Sequence, residues 1–132
     1  MAVVQQKILV VEDDPDLLSI ITQTLSSAGY RVLPAYGGED ALRKSQRERF
    51  DLILTDLAMP KMSGVELIET LKRNPETAHV PVIAVTAYWM DSFGDAANDV
   101  GCDGHLVKPF RSADLLKVVA RYLVTPQLPP RP

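Results

Sequence analysis

The chain has 132 residues, 46% hydrophobic and 23% charged, with a formal net charge of -3 and a single cysteine. Such a length and balance describe one globular domain with one core, and they exclude a disordered chain, a disulfide scaffold and a cysteine metal site. No apolar run approaches the roughly 20 residues that span a bilayer, and no leader-like segment opens the chain, which predicts a cytoplasmic protein without membrane contact.

The elements alternate. Lys7 to Val11 reads as a first strand, and Asp14 caps the helix that follows, with Pro15 at its first position. Leu17, Leu18, Ile21, Leu25 and Ala28 fall on one helical face, and Gly29 supplies the stop. Arg31 to Ala35 is a second strand, polar enough at Arg31 to be an edge. Gly37-Gly38 turns into a helix over Glu39 to Arg47, and Leu52 to Thr55 is a third strand. Ser63 and Glu66 have capping-box spacing and open a helix with Val65, Ile68 and Leu71 inside, ended by Asn74-Pro75. Val80 to Thr86 is a fourth strand. Ser92 and Asp95 repeat the cap spacing before Phe93, Ala96, Ala97 and Val100, and Gly101 ends that helix. Gly104 to Lys108 is a fifth strand, and Leu115, Leu116, Val119 and Leu123 line the last helix.

Five strands alternating with five helices imply an α/β fold with a doubly wound parallel sheet and right-handed crossovers. Strands one and three to five are nearly continuous in apolar residues, as expected of strands covered on both faces. With strand two at an edge, the flavodoxin-like order 2-1-3-4-5 follows. No Lys/Arg stripe forms, so direct nucleic-acid binding is not expected. Residues 1–124 form the domain, and 125–132 (Thr125-Pro126-Gln127-Leu128-Pro129-Pro130-Arg131-Pro132) read as a proline-rich tail or linker stub. Cys102 reads as a small buried hydrophobe.

Open α/β sheets place ligands at the carboxyl ends of their strands. Those ends carry Glu12-Asp13 on strand one, Asp56 on strand three, Thr86-Ala87 on strand four and Lys108-Pro109 on strand five. Any one of these residues is ordinarily a cap, a strand end or a solvated charge; their convergence on one rim is the signal. Two carboxylates about 5 Å apart repel by roughly 3 kcal/mol at an effective dielectric of 20, so three crowded acids ask for a cation. An all-oxygen site with room for water and phosphate suits Mg2+.

Val10-Val11-Glu12-Asp13-Asp14, Leu54-Thr55-Asp56-Leu57-Ala58-Met59-Pro60, Val85-Thr86-Ala87 and Val107-Lys108-Pro109-Phe110 resemble the motifs of two-component response-regulator receiver domains. The resemblance runs from about Lys7 to Leu123. It implies that Asp56 accepts a phosphoryl group from a histidine kinase or a histidine phosphotransfer protein. It further implies that Asp13, Asp56 and the Ala58 backbone carbonyl bind Mg2+, with Glu12 acting mainly through water. Lys108 pairs with a phosphoryl oxygen, and small Ala87 lets the phosphate approach. Thr86 reads the phosphoryl group, and the switch residue on strand five aligns with His105, where the family commonly has Tyr or Phe. The output partner meets the face of helix four, strand five and helix five, and a phosphorylation-dependent dimer is compatible with the resemblance. Such a domain is no turnover enzyme, although it promotes its own phosphorylation and dephosphorylation. Lys108-Pro109 resembles the family's cis peptide.

Three features remain open at this stage. Ala58 stands where the family is often polar, which predicts slower self-dephosphorylation than in Ala58→Asn. Tyr88-Trp89-Met90 is either a partner surface or packs on the sheet. The competing functions are a haloacid-dehalogenase-type phosphatase, a flavodoxin and a phosphate-blind receiver. The first lacks its second acid at Ala58, the second would need a Ser/Thr-rich loop where Glu12-Asp13-Asp14 stands, and the third is disfavoured by the complete set of acids, Thr86 and Lys108.

Overall fold

Each apolar run forms a strand, and each helical stripe covers it. The computed structural model describes residues 5–87 and 92–123. In chain order the elements are β1 (Lys7–Val11), α1 (Pro15–Ser27), β2 (Arg31–Ala35), α2 (Gly38–Arg47), β3 (Leu52–Thr55), α3 (Gly64–Arg73), β4 (Val82–Thr86), α4 (Ser92–Asp99), β5 (Gly104–Val107) and α5 (Ser112–Tyr122). The sheet runs β2-β1-β3-β4-β5 and every pairing is parallel. This is the order expected from the alternation.

Side chains alternate across a strand, so β1 splits its residues between two cores. Ile8 and Val10 pack with Leu18, Ile21 and Leu25 of α1 and with Leu115 and Val119 of α5. Leu9 and Val11 face the other way, against Leu67, Ile68 and Leu71 of α3. Each such fully buried side chain contributes about 1.5–3 kcal/mol relative to exposure. The caps match the sequence as well. Asp14 accepts from the Asp16 N–H at 3.0 Å, and Ser63 and Glu66 close their reciprocal box.

Five expectations need correction. Val80 and Pro81 precede β4, because Pro81 has no N–H to give the ladder and the Val80 N–H donates to the Thr77 carbonyl at 3.0 Å. β5 stops at Val107 and, at the edge its place in the order gives it, is not covered on both faces: His105 and Val107 are exposed while Gly104 and Leu106 are half-buried. On α1, Ala28 is exposed and Leu17 only half-buried. In α3, Leu67 joins the core and Val65 sits at its margin. Cys102 is half-buried, its thiol donates to the Gly104 carbonyl at 2.9 Å, and burial pushes its pKa up. Tyr88-Trp89-Met90, the side chains of Ser92 and Phe93, and the proline-rich tail lie outside the described residues.

Candidate functional site

Parallel pairing brings the ends of β1, β3, β4 and β5 to one rim. The Asp56 N–H donates to the Val11 carbonyl at 3.1 Å, and the Lys108 N–H donates to the Thr86 carbonyl at 3.0 Å. These bonds extend the ladder one step past the strands. They set Asp56 beside the end of β1 and Lys108 beside the end of β4.

Glu12, Asp13 and Asp56 each bring a carboxylate oxygen within 4.8 Å of the other two. Glu12 and Asp56 are buried, whereas Asp13 is exposed. The Lys108 ammonium spans the buried pair, donating to Glu12 Oε1 at 2.7 Å and to Asp56 Oδ2 at 3.0 Å. Glu12 Oε2 accepts from the Asp14 N–H at 3.1 Å, and Asp56 Oδ1 accepts a long bond from the Ala58 N–H at 3.3 Å. Counted at formal charge, three carboxylates and one ammonium leave a net charge of two negatives, which one divalent cation matches. The donor set is all oxygen and one acid faces solvent, so the site fits Mg2+ with its water complement.

The charge states follow from burial and partners. Burial raises the Glu12 carboxyl above its ordinary 4.5, against the pull of Lys108 and the Asp14 N–H and with added repulsion from Asp56. For Lys108, burial works to lower the pKa, but the bonds to Glu12 and Asp56 outweigh it and hold the ammonium above 10.5. Lys108 is therefore charged at neutral pH. Because folding raises the Glu12 pKa, Glu12 contributes most to stability below pH 4.5 and loses that contribution as pH rises through its folded value. In metal-free buffer the unfolding free energy of the parent minus that of Glu12→Gln should fall as pH rises above 4.5, measured by urea titration of both proteins. A difference that grows with pH would contradict the sign.

The loop after Asp56 is held from below. Leu57 is fully buried, and the Gly64 N–H donates to its carbonyl at 2.8 Å. A Cβ at Gly64 would overlap the Asp56 carbonyl oxygen and lie 2.7 Å from Leu57 Cα, so only glycine fits there. Thr86 is fully buried at the end of β4, Ala87 is exposed beyond it, and His105 is exposed on β5 opposite Ala84. Ala58 is half-buried. The Lys108-Pro109 peptide is cis, as the resemblance implied. The sequence reading did not foresee the Lys108–Glu12 ion pair, since nothing local ties residues so far apart in the chain.

Comparison with known proteins agrees with this geometry. A family model described as the response regulator receiver domain matches residues 8–120. The chain is 30% identical over 118 residues to the polar-differentiation response regulator DivK of Brucella anthropi, covering 89% of this chain and 96% of that protein. It is 37% identical over 113 residues to the probable transcriptional regulator ycf29 of Pyropia yezoensis, covering 86% of this chain but 51% of that protein. The chain thus spans about half the length of that relative. Among solved structures, the chemotaxis protein CheY4 of Vibrio cholerae superposes with a TM-score of 0.87 at 34% identity, covering 91% of this chain and 100% of that one. The receiver domain of the sensor histidine kinase PA1611 from Pseudomonas aeruginosa gives a TM-score of 0.84 at 33% identity, covering 90% and 98%. That structure has a magnesium ion coordinated in its active site cleft.

Proposed function

The chain belongs to the response regulator receiver domain family, a two-component signalling module, and we propose that Asp56 is its phosphoacceptor. The observation that carries this reading is the Lys108 ammonium bonded to the buried Asp56 at 3.0 Å inside a ring of three carboxylates. Receiver domains take phosphoryl groups from histidine kinases or phosphotransfer proteins and act on output partners. Here an Asp56 carboxylate oxygen attacks the phosphorus of a phosphohistidine; the O–P bond forms as the P–N bond breaks, and the imidazole leaves with the electron pair.

Asp13, Asp56 and the Ala58 carbonyl would hold Mg2+, with Glu12 acting through water. The ion, when bound, offsets charge on the attacking and transferring oxygens. Lys108 stays charged throughout. Once Asp56 is esterified it loses its charge, and the ammonium turns from Asp56 Oδ2 to a phosphoryl oxygen while keeping Glu12. The exposed position of Ala87 leaves the phosphate an open approach, and the buried Thr86 hydroxyl binds the phosphoryl group in the switched state. Thr86 shifts toward the phosphoryl group to make that bond, and the shift is passed to His105 and to the surface formed by α4, β5 and α5, where an output partner or a second phosphorylated copy docks.

Ala58 gives the reading a kinetic signature. A methyl group offers neither donor nor acceptor to orient a water against the acyl phosphate. Phosphorylated Ala58→Asn should lose its phosphoryl group faster than the parent, by on the order of tenfold. Equal decay of the two would remove that role. The reading as a whole is tested with acetyl phosphate: intact mass should rise by one phosphoryl group with Mg2+ and stay unchanged with EDTA. A protein unmodified in both conditions would be a binding module only.

A further inference from the structure

Gly38 opens α2, and its missing side chain is filled by Met62. A Cβ at Gly38 would lie 2.7 Å from Met62 Cγ, 2.7 Å from Met62 Sδ and 2.9 Å from Met62 Cβ. Contacts that close are absent from real packing, and Met62 Cβ is fixed to its backbone, so turning the side chain cannot relieve all three. Met62 is half-buried against the core cluster that includes Leu57 and Ala41. The preceding residue, Lys61, has φ of 68°, a left-handed conformation that costs a non-glycine residue of order 1 kcal/mol. That turn aims Met62 at α2.

The loop from Asp56 to Gly64 is therefore fastened at two places beyond the strand. One is Gly64, whose backbone lies so close to the Asp56 carbonyl that no side chain fits between them. The other is the seat of Met62 on Gly38. Between Asp56 and Met62 lies Ala58, whose N–H donates to Asp56 Oδ1. A push on Met62 that drove Gly64 toward β3 would meet the Asp56 carbonyl, which leaves the Ala58 side of the loop to take it up.

We propose that Met62, seated on Gly38, is a positioning residue: it fixes the Ala58 backbone relative to Asp56, and so couples the start of α2 to the metal and phosphoryl site. This inference rests on the reading of Asp56, Asp13 and Ala58 as the Mg2+ site. It gives α2 a part in the chemistry although that helix supplies none of the reacting groups.

The two residues make a double-mutant cycle whose outcome differs from ordinary packing. Gly38 has no left-handed φ, so alanine there is conformationally allowed and favours the helix. Gly38→Ala alone should weaken Mg2+ binding by on the order of tenfold, read by calorimetric titration, and should slow phosphorylation by acetyl phosphate. Met62→Ala removes Cγ and Sδ, the two nearest obstructing atoms, and leaves only the Cβ contact at 2.9 Å. In that background Gly38→Ala should cost clearly less Mg2+ affinity, and less of the urea midpoint, than it does in the parent. Met62→Leu, which keeps the volume, should retain near-parental affinity. Loss of Mg2+ affinity from Gly38→Ala that is equally large with and without Met62 would overturn the proposal. So would a Gly38→Ala protein that lowers the urea midpoint while binding Mg2+ as the parent does. A parent protein that binds no Mg2+ would instead overturn the metal-site reading, and the coupling with it.

Discussion

Asp56→Asn should fold and should lose phosphorylation by on the order of 1,000-fold or more, because the attacking oxygen is gone. Asparagine keeps the size of the side chain and retains one oxygen that can accept the Ala58 N–H or the Lys108 ammonium. What it lacks is a second oxygen and a negative charge. An amide is a poor nucleophile toward phosphorus, and its uncharged oxygen draws a cation less strongly. Glu12 and Asp13 do not rescue the reaction. Glu12 already holds Lys108 at 2.7 Å from a buried position, and exposed Asp13 has no bonded lysine of its own among the described residues. Initial rates with acetyl phosphate, followed by intact mass at fixed Mg2+, measure the loss. Rates within a few-fold of the parent would mean that another group accepts the phosphate.

Gly64→Ala is the second large effect, and it acts through backbone. The added Cβ would overlap the Asp56 carbonyl oxygen and crowd Leu57 Cα and the Asp56 carbonyl carbon, both within 2.8 Å. None of these atoms can rotate out of the way, so either the start of α3 lifts or the end of β3 shifts. Lifting α3 strains the Gly64 bond to Leu57 and the Ser63–Glu66 capping box. Overpacking of this kind costs about 3 kcal/mol, a large part of the 5–15 kcal/mol that holds a typical domain. The urea midpoint should drop accordingly. The surviving folded protein should also be phosphorylated more slowly, since Asp56 itself has moved. A Gly64→Ala protein as stable as the parent would show that the loop accommodates the methyl group without cost.

The topology was legible because the strands are short apolar runs separated by helical stripes, several of them opened by a cap such as Asp14 or Ser63. The site was legible for the same reason. Glu12, Asp56 and Lys108 come directly after apolar strands and Thr86 ends one, and a parallel sheet sends all such ends to one rim. What the sequence hid was relational. Leu106 and Val107 look the same whether their strand is central or at an edge, so the exposure of β5 could not be read from them. Val80 continues an apolar run, and its exclusion from β4 depends on where Pro81 meets the ladder. The Lys108–Glu12 pair and the seat of Met62 on Gly38 join residues far apart in the chain. Glycine 38 reads locally as a turn residue, and only the packing shows what fills its empty side.

Everything turns on which oxygen carries the phosphoryl group. The direct measurement is to phosphorylate the protein with acetyl phosphate and Mg2+, reduce the acyl phosphate with borohydride, and locate the resulting homoserine by peptide mass sequencing. The account predicts a single converted residue, at position 56, in a sample made with Mg2+ and none in a sample made with EDTA. Conversion at position 13, or no converted aspartate in a protein that had gained a phosphoryl group, would contradict it.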